Sequence, residues 1–204
     1  MATWWGNDAP NYHEGPQENQ YGLGGDDTLV GTVTDRSYYL YGGNGDDELV
    51  GYNVDDELYG GSGSDALFGY GGWDYLDGGS GNDDLNGYYG NDTLSGGSGK
   101  DWFYFTTKLN KQENFDKILD FKPGTDRIAL SRSIFDGVGQ GGKTLPAKKF
   151  EAGSDATSPK TRILYDEDKG VAFYTPDGDA GGRIKFVKVT KGSSLDYDDF
   201  FVIG

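Results

Sequence analysis

From Gly42 to Tyr104 the apolar and polar positions of this chain recur with a period of nine. The rows GGNGDDELV, GYNVDDELY, GGSGSDALF, GYGGWDYLD, GGSGNDDLN, GYYGNDTLS and GGSGKDWFY follow one another without a gap. The first place is always glycine and the sixth always aspartate. The eighth is a large apolar residue: Leu49, Leu58, Leu67, Leu76, Leu85, Leu94 and finally Phe103. Nine residues hold one glycine-rich loop and one short strand, too few for a coil with two strands. Two rows therefore make a coil, alternate rows stack on one another, and the eighth-place side chains line a core between two short sheets.

Outside the seven rows the pattern changes in both directions. Gly22–Val30, GLGGDDTLV, is a good row with Asp27 and Leu29 in the key places. VTDRSYYLY keeps Leu40 in the apolar place but puts Tyr38 where aspartate belongs, with Gly31 and Thr32 as a short insertion. Residues 1–21 contain WGNDAPN, an echo of a row, together with Trp4, Trp5 and Tyr12. They are expected to form a degenerate first coil that caps the stack. After Tyr104, KILDF, RIALS, TRILYD, GVAFYT and GGRIKFVKV read as strands separated by turn chemistry, with TRILYDEDKGVAFYT as a hairpin. KQENFDKILDF also suits a helical turn. The expected organisation is all-β: an N-terminal cap over 1–21, a roll over 22–104, and a mostly antiparallel β unit over 105–204 that covers the open end.

Charge changes this picture by dividing the chain. Residues 1–99 hold 18 of the 34 acids and a single base, Arg36, so the excess behind the net charge of -16 lies in the repeat half. Such a half repels itself and stays expanded until cations neutralise it, and it suits neither nucleic acid nor anionic lipid. There is no cysteine, so disulfides and thiolate metal sites are excluded. No apolar run reaches the length of a membrane span, and MATWWGNDAP lacks the features of a classical secretory leader.

The stacking places like charges at close range. One edge carries Asp47, Asp65, Asp83 and Asp101, the other Asp56, Asp74 and Asp92. Stacked strands lie about 4.8 Å apart, and carboxylates facing each other at that spacing need a cation between them. Calcium takes carboxylate and carbonyl oxygens in a flexible geometry, whereas magnesium demands a stricter one. Neighbouring aspartates define three sites on the first edge and two on the second. Asp27 over Asp47 adds a sixth if the insertion leaves the register intact. A site touching GYNVDDELY is expected to be looser, because Val54 replaces a loop glycine.

These residues resemble the RTX β-roll, a right-handed parallel roll found near the C-termini of proteins exported by bacterial type I secretion. FDKILDFKPGTDRIALS and the hairpin resemble the C-terminal segments of serralysin-type proteases and alginate epimerase modules, and DYDDFFVIG resembles their secretion signals. The resemblance implies that the repeat aspartates share calcium with backbone carbonyls of the loops. Carried onto this sequence, those are Gly42 and Asn44; Gly60, Gly61, Ser62 and Gly63; Gly69, Gly71 and Gly72; Gly78, Gly79, Ser80 and Gly81; Gly87, Tyr89 and Gly90; and Gly96, Gly97, Ser98 and Gly99. It further implies an extracellular bacterial module that folds on meeting calcium after passing the secretion machinery. An acidic polysaccharide is a second expected partner, on account of outward tyrosines such as Tyr52, Tyr59, Tyr70, Tyr88 and Tyr89.

No catalytic constellation accompanies these features. His13 is the only histidine, and neither H-E-x-x-H nor G-x-S-x-G occurs. GVGQGG at 137–142 matches G-x-G-x-x-G without a strand before it or a helix after it. Asp166 with Asp168, and Asp177 with Asp179, read as hairpin turns rather than extra calcium loops.

Overall fold

The computed structural model describes residues 3–15, 19–32, 35–110, 114–178 and 180–204. Strands alternate between two sheets along the chain. One runs through Thr3–Asn7, Asn19–Gly24, Tyr39–Asn44, Glu57–Ser62, Tyr75–Ser80 and Thr93–Ser95. The other runs through Tyr12–Gly15, Thr28–Gly31, Glu48–Tyr52, Ala66–Tyr70, Asp84–Asn86 and Trp102–Phe105. Every pairing among these strands is parallel, as it must be when successive coils wind in one sense.

The register follows the eighth place of each row. Leu40, Leu58, Leu76 and Leu94 pair in one column, and Leu29, Leu49, Leu67, Leu85 and Phe103 in the other. All nine are fully buried. A slip of one residue would turn either column out to solvent, so the core fixes the register. The register survives the insertion between Asp27 and Asp47, since Leu29 still pairs with Leu49, but Gly31, expected as part of that insertion, belongs to the strand Thr28–Gly31 and pairs with Gly15. At the N-terminal end Gln20 pairs with Leu40 in the core column and donates from Nε2 to the carbonyls of Gly15 and Val30. Trp4 stacks on His13 at 4.3 Å across the first coil.

The parallel ladders continue past Tyr104. Asp116–Ile118 pairs with Thr93–Ser95, and Arg127–Ser131 pairs with Trp102–Phe105, bringing Ile118 and Ile128 onto the two core columns. Beyond them Ile184–Lys188 and Phe200–Ile203 add one more parallel strand to each sheet. Only then does pairing become mixed: Ile163–Asp166 and Val171–Tyr174 form the expected antiparallel hairpin, which joins the first sheet through Ile184–Lys188. In KQENFDKILDF, Asp116–Ile118 is strand, and residues 111–113 lie outside the described residues. The end of the roll is closed by edge-to-face rings, with Phe105 on Phe186 and Phe186 on Phe135, while Phe103 meets Phe121.

Candidate metal centre

The sixth-place aspartates stand in two columns beside the core. In each, Oδ1 accepts the backbone amide of the residue at the sixth place one coil earlier. On one edge Asp27 donates to Asp47 at 2.7 Å, Asp47 to Asp65 at 2.8 Å, Asp65 to Asp83 at 2.9 Å and Asp83 to Asp101 at 3.1 Å. On the other, Tyr38 donates to Asp56 at 2.7 Å, Asp56 to Asp74 at 2.8 Å and Asp74 to Asp92 at 2.9 Å. Asp27 thus joins its column in full register. Tyr38 keeps the backbone role of the sixth place while its ring fills the core and its hydroxyl accepts from the amide of Thr32.

The second oxygen of each carboxyl is the decisive feature. Oδ2 of Asp27, Asp47, Asp56, Asp65, Asp74, Asp83, Asp92 and Asp101 is buried and has no hydrogen-bond partner. An unpaired buried carboxylate oxygen is costly, so these groups are held as neutral acids or are metal ligands. Burial, reinforced by neighbouring aspartates, pushes the carboxyls of Asp47, Asp56, Asp83 and Asp92 up to about 6, that of Asp65 to about 7 and that of Asp74 to about 8.

The loop glycines follow from this crowding. A Cβ on Gly60 would come within 2.3 Å of Oδ2 of Asp65, so the first place cannot carry a side chain without displacing the carboxyl. At the fourth place Gly81 has φ +137°, and a Cβ there would lie 1.6 Å from the carbonyl oxygen of Gly63 one coil below. The third-place carbonyls of Ser62, Ser80 and Ser98 accept from the amides of Gly45, Gly63 and Gly81 at 2.8 Å, and that of Tyr89 accepts from Gly72 at 3.1 Å. Each keeps a second lone pair. The row 51–59 departs from this geometry: Tyr52 and Val54 do not take the positive φ that Tyr70 (72°) and Gly72 (137°) take at the same places.

Among the described residues no group of three or more His, Cys, Asp or Glu side chains is placed to hold a metal ion. A cation in these columns must therefore complete its shell with backbone carbonyls, a donor set that suits calcium and not zinc. The profile of the family described as "RTX calcium-binding nonapeptide repeat (4 copies)" matches residues 39–56, 50–85 and 77–105. The chain is also similar to the solution structure of the AlgE6R3 subunit of the Azotobacter vinelandii mannuronan C5-epimerase. Identity is 31% over 72% of this chain and 78% of that one, with a TM-score of 0.50. No curated protein matches the sequence. This chain belongs to the RTX calcium-binding repeat family.

The RTX roll has two aspartates that its row grammar hides. The amide of Asp92 donates to Oδ1 of Asp116 at 3.0 Å, and that of Asp101 to Oδ1 of Asp126 at 3.2 Å, so both columns extend past the last row. The clue in the sequence was the retained spacing of aspartate, any residue, isoleucine in Asp116–Ile118 and Asp126–Ile128. Asp166, by contrast, pairs with Lys169 at 2.5 Å as a turn residue, and Asp179 lies outside the described residues.

Proposed function

We propose that this RTX roll is folded by calcium held between stacked loops, with paired aspartates and loop carbonyls as ligands. The observation that supports this reading best is the set of eight buried, unpartnered Oδ2 atoms, all in one structural place. Calcium supplies the positive charge that lets all of these carboxyls ionise in a dry site. The number of ions is set by the number of ordered steps, with the step touching Val54 the weakest. Without calcium the acidic half repels itself and stays unfolded. Circular dichroism with calcium and with chelator tests this: folding should show a midpoint at about 10⁻⁴ to 10⁻³ M calcium, and an unchanged folded spectrum in chelator would sink the reading.

Secretion and an extracellular place of work belong to the same proposal, and the chain's role in it is non-catalytic. The tail that resembles a secretion signal is built into a sheet: Phe200–Ile203 pairs with Arg127–Ser131, and Phe200 and Val202 are fully buried. A transporter would have to read it before the chain folds, which low cytosolic calcium permits. No helix among the described residues is long and apolar enough to cross a membrane.

A second reading, binding of an acidic polysaccharide, is favoured by one cleft and by the likeness to a module of a mannuronan epimerase. Most outward tyrosines are engaged with each other. Tyr70 stacks on Tyr88 at 4.7 Å and on Tyr52 at 6.2 Å, and Tyr59 lies between Tyr39 and Tyr75. Trp73 and Tyr89, 68% and 62% exposed, instead open onto a cleft of about 830 Å³ that Lys108 also lines. Mannuronan oligomers should quench tryptophan emission of the calcium-loaded chain. Equal quenching in Trp73→Ala and Tyr89→Ala would remove this reading and leave the calcium one untouched.

A further inference from the structure

On the edge that carries Asp101, the next loop is residues 121–126, and the step between the two is built unlike those before it. Within the rows the fourth-place glycines are pressed onto the coil below, so that a Cβ on Gly99 would lie 1.4 Å from the carbonyl oxygen of Gly81. Gly124 holds the corresponding place with φ +77°, yet a Cβ there would meet nothing within 4 Å. The loop swings clear, and the tight carbonyl stack is missing.

The hydrogen bonds change as well. Inside the rows the third-place amide of Ser98 donates to the second-place carbonyl of Gly79 at 2.8 Å. The incoming loop has Pro123 in that place, which carries no N–H, so the carbonyl of Gly97 needs another donor. It receives the Nζ of Lys122. The amide of Lys122 donates to Oδ2 of Asp126 at 2.7 Å, while Oδ1 takes the amide of Asp101. Both oxygens of Asp126 are therefore engaged, in contrast to the eight row aspartates. Asp120 meanwhile accepts from the amides of Gly96 at 3.0 Å and Gly97 at 2.7 Å, anchoring the segment against the last row.

We propose that this step takes no metal: the ammonium of Lys122 stands in for the N–H that Pro123 lacks, the backbone amide of Lys122 occupies Oδ2 of Asp126, and Asp126 is left with no oxygen for an ion. The inference rests on the calcium reading of the rows. It explains why an open loop with a proline can follow the tight loops of this edge without leaving a loop carbonyl bare, and it fixes where metal loading ends on this edge.

Native mass spectrometry of the full chain in saturating calcium, with thermal melts of the same samples, tests it. Asp126→Asn, which keeps an Oδ1 acceptor for Asp101, should carry as many ions as the wild type, and Asp83→Asn should carry fewer. Lys122→Met should melt lower by about 2–4 °C, the shift that loss of one modest interaction produces in a chain of this size, and Lys122→Arg should restore most of it. Loss of an ion in Asp126→Asn, or a Lys122→Met melt equal to wild type, overturns the inference while the rows keep their calcium. A wild-type chain that carries no calcium overturns the calcium reading and this inference together.

Discussion

Asp74 is 2% exposed, with Oδ1 bonded to the amide of Asp56 and Oδ2 to nothing, and burial pushes its carboxyl up to about 8. The ordinary value for aspartate is 3.8, so without metal the folded chain holds its proton more tightly than the unfolded one. Stability from that difference is fully present below the unfolded value and is lost as pH rises through the folded values of about 6 to about 8. Chelated protein should therefore gain β structure by circular dichroism on acidification from pH 8 towards 4, and no gain would mean these carboxyls are not buried without metal. With calcium the sign reverses, because protons compete for the same oxygens. Calcium affinity should fall as pH drops below about 6, measured by titration calorimetry. At the glycine places, Gly81→Ala should weaken calcium binding and lower the melting temperature, since both its φ and the carbonyl of Gly63 forbid a side chain.

At the scale of elements, the strands are short and contribute little alone; the two leucine columns hold them. Leu67→Ala removes a fully buried side chain between Leu49 and Leu85 and should cost about 2–5 kcal/mol in calcium-saturated unfolding. Its loaded ion count should be unchanged, because the aspartates sit beside the core rather than in it. The columns were legible from sequence because Leu49, Asp47 and their successors recur at fixed places, and a repeat constrains each position several times over. Asp116 and Asp126 were not, because separations of 24 and 25 residues replace the 18-residue interval between stacked partners. Gln20 in the apolar column was equally hidden: the carbonyls of Gly15 and Val30 that satisfy its amide come together only once the coil has closed. Among the outward tyrosines, sequence alone could not separate those stacked on one another from Tyr89, since stacking depends on which rows share a face.

For the whole molecule, two separate problems have to be solved before the acidic half can fold. The repulsion among its 18 acids is long-range and yields to salt; the bare Oδ2 atoms are local and do not. Sodium chloride at 1 M should therefore leave the chelated chain without its β spectrum, and calcium at millimolar concentration should restore it. Folding in sodium chloride alone would show that screening suffices and that the orphaned oxygens need no metal.

The hydrogen bonds of the sixth-place aspartates also share one direction, always from the amide of an earlier coil to the carboxyl of a later one, whereas the fifth-place Asp26, Asp46 and Asp55 accept from the coil after them. The sixth-place column therefore carries an arrow: each of its steps is latched by the carboxyl of its successor. Cutting one sixth-place carboxyl should loosen the coil before it and spare the latch of the coil after it. In Asp83→Ala the amide of Asp65 should lose protection from hydrogen exchange, while that of Asp83, latched onto Asp101, stays slow. Damage to a sixth-place carboxyl travels toward the N-terminus.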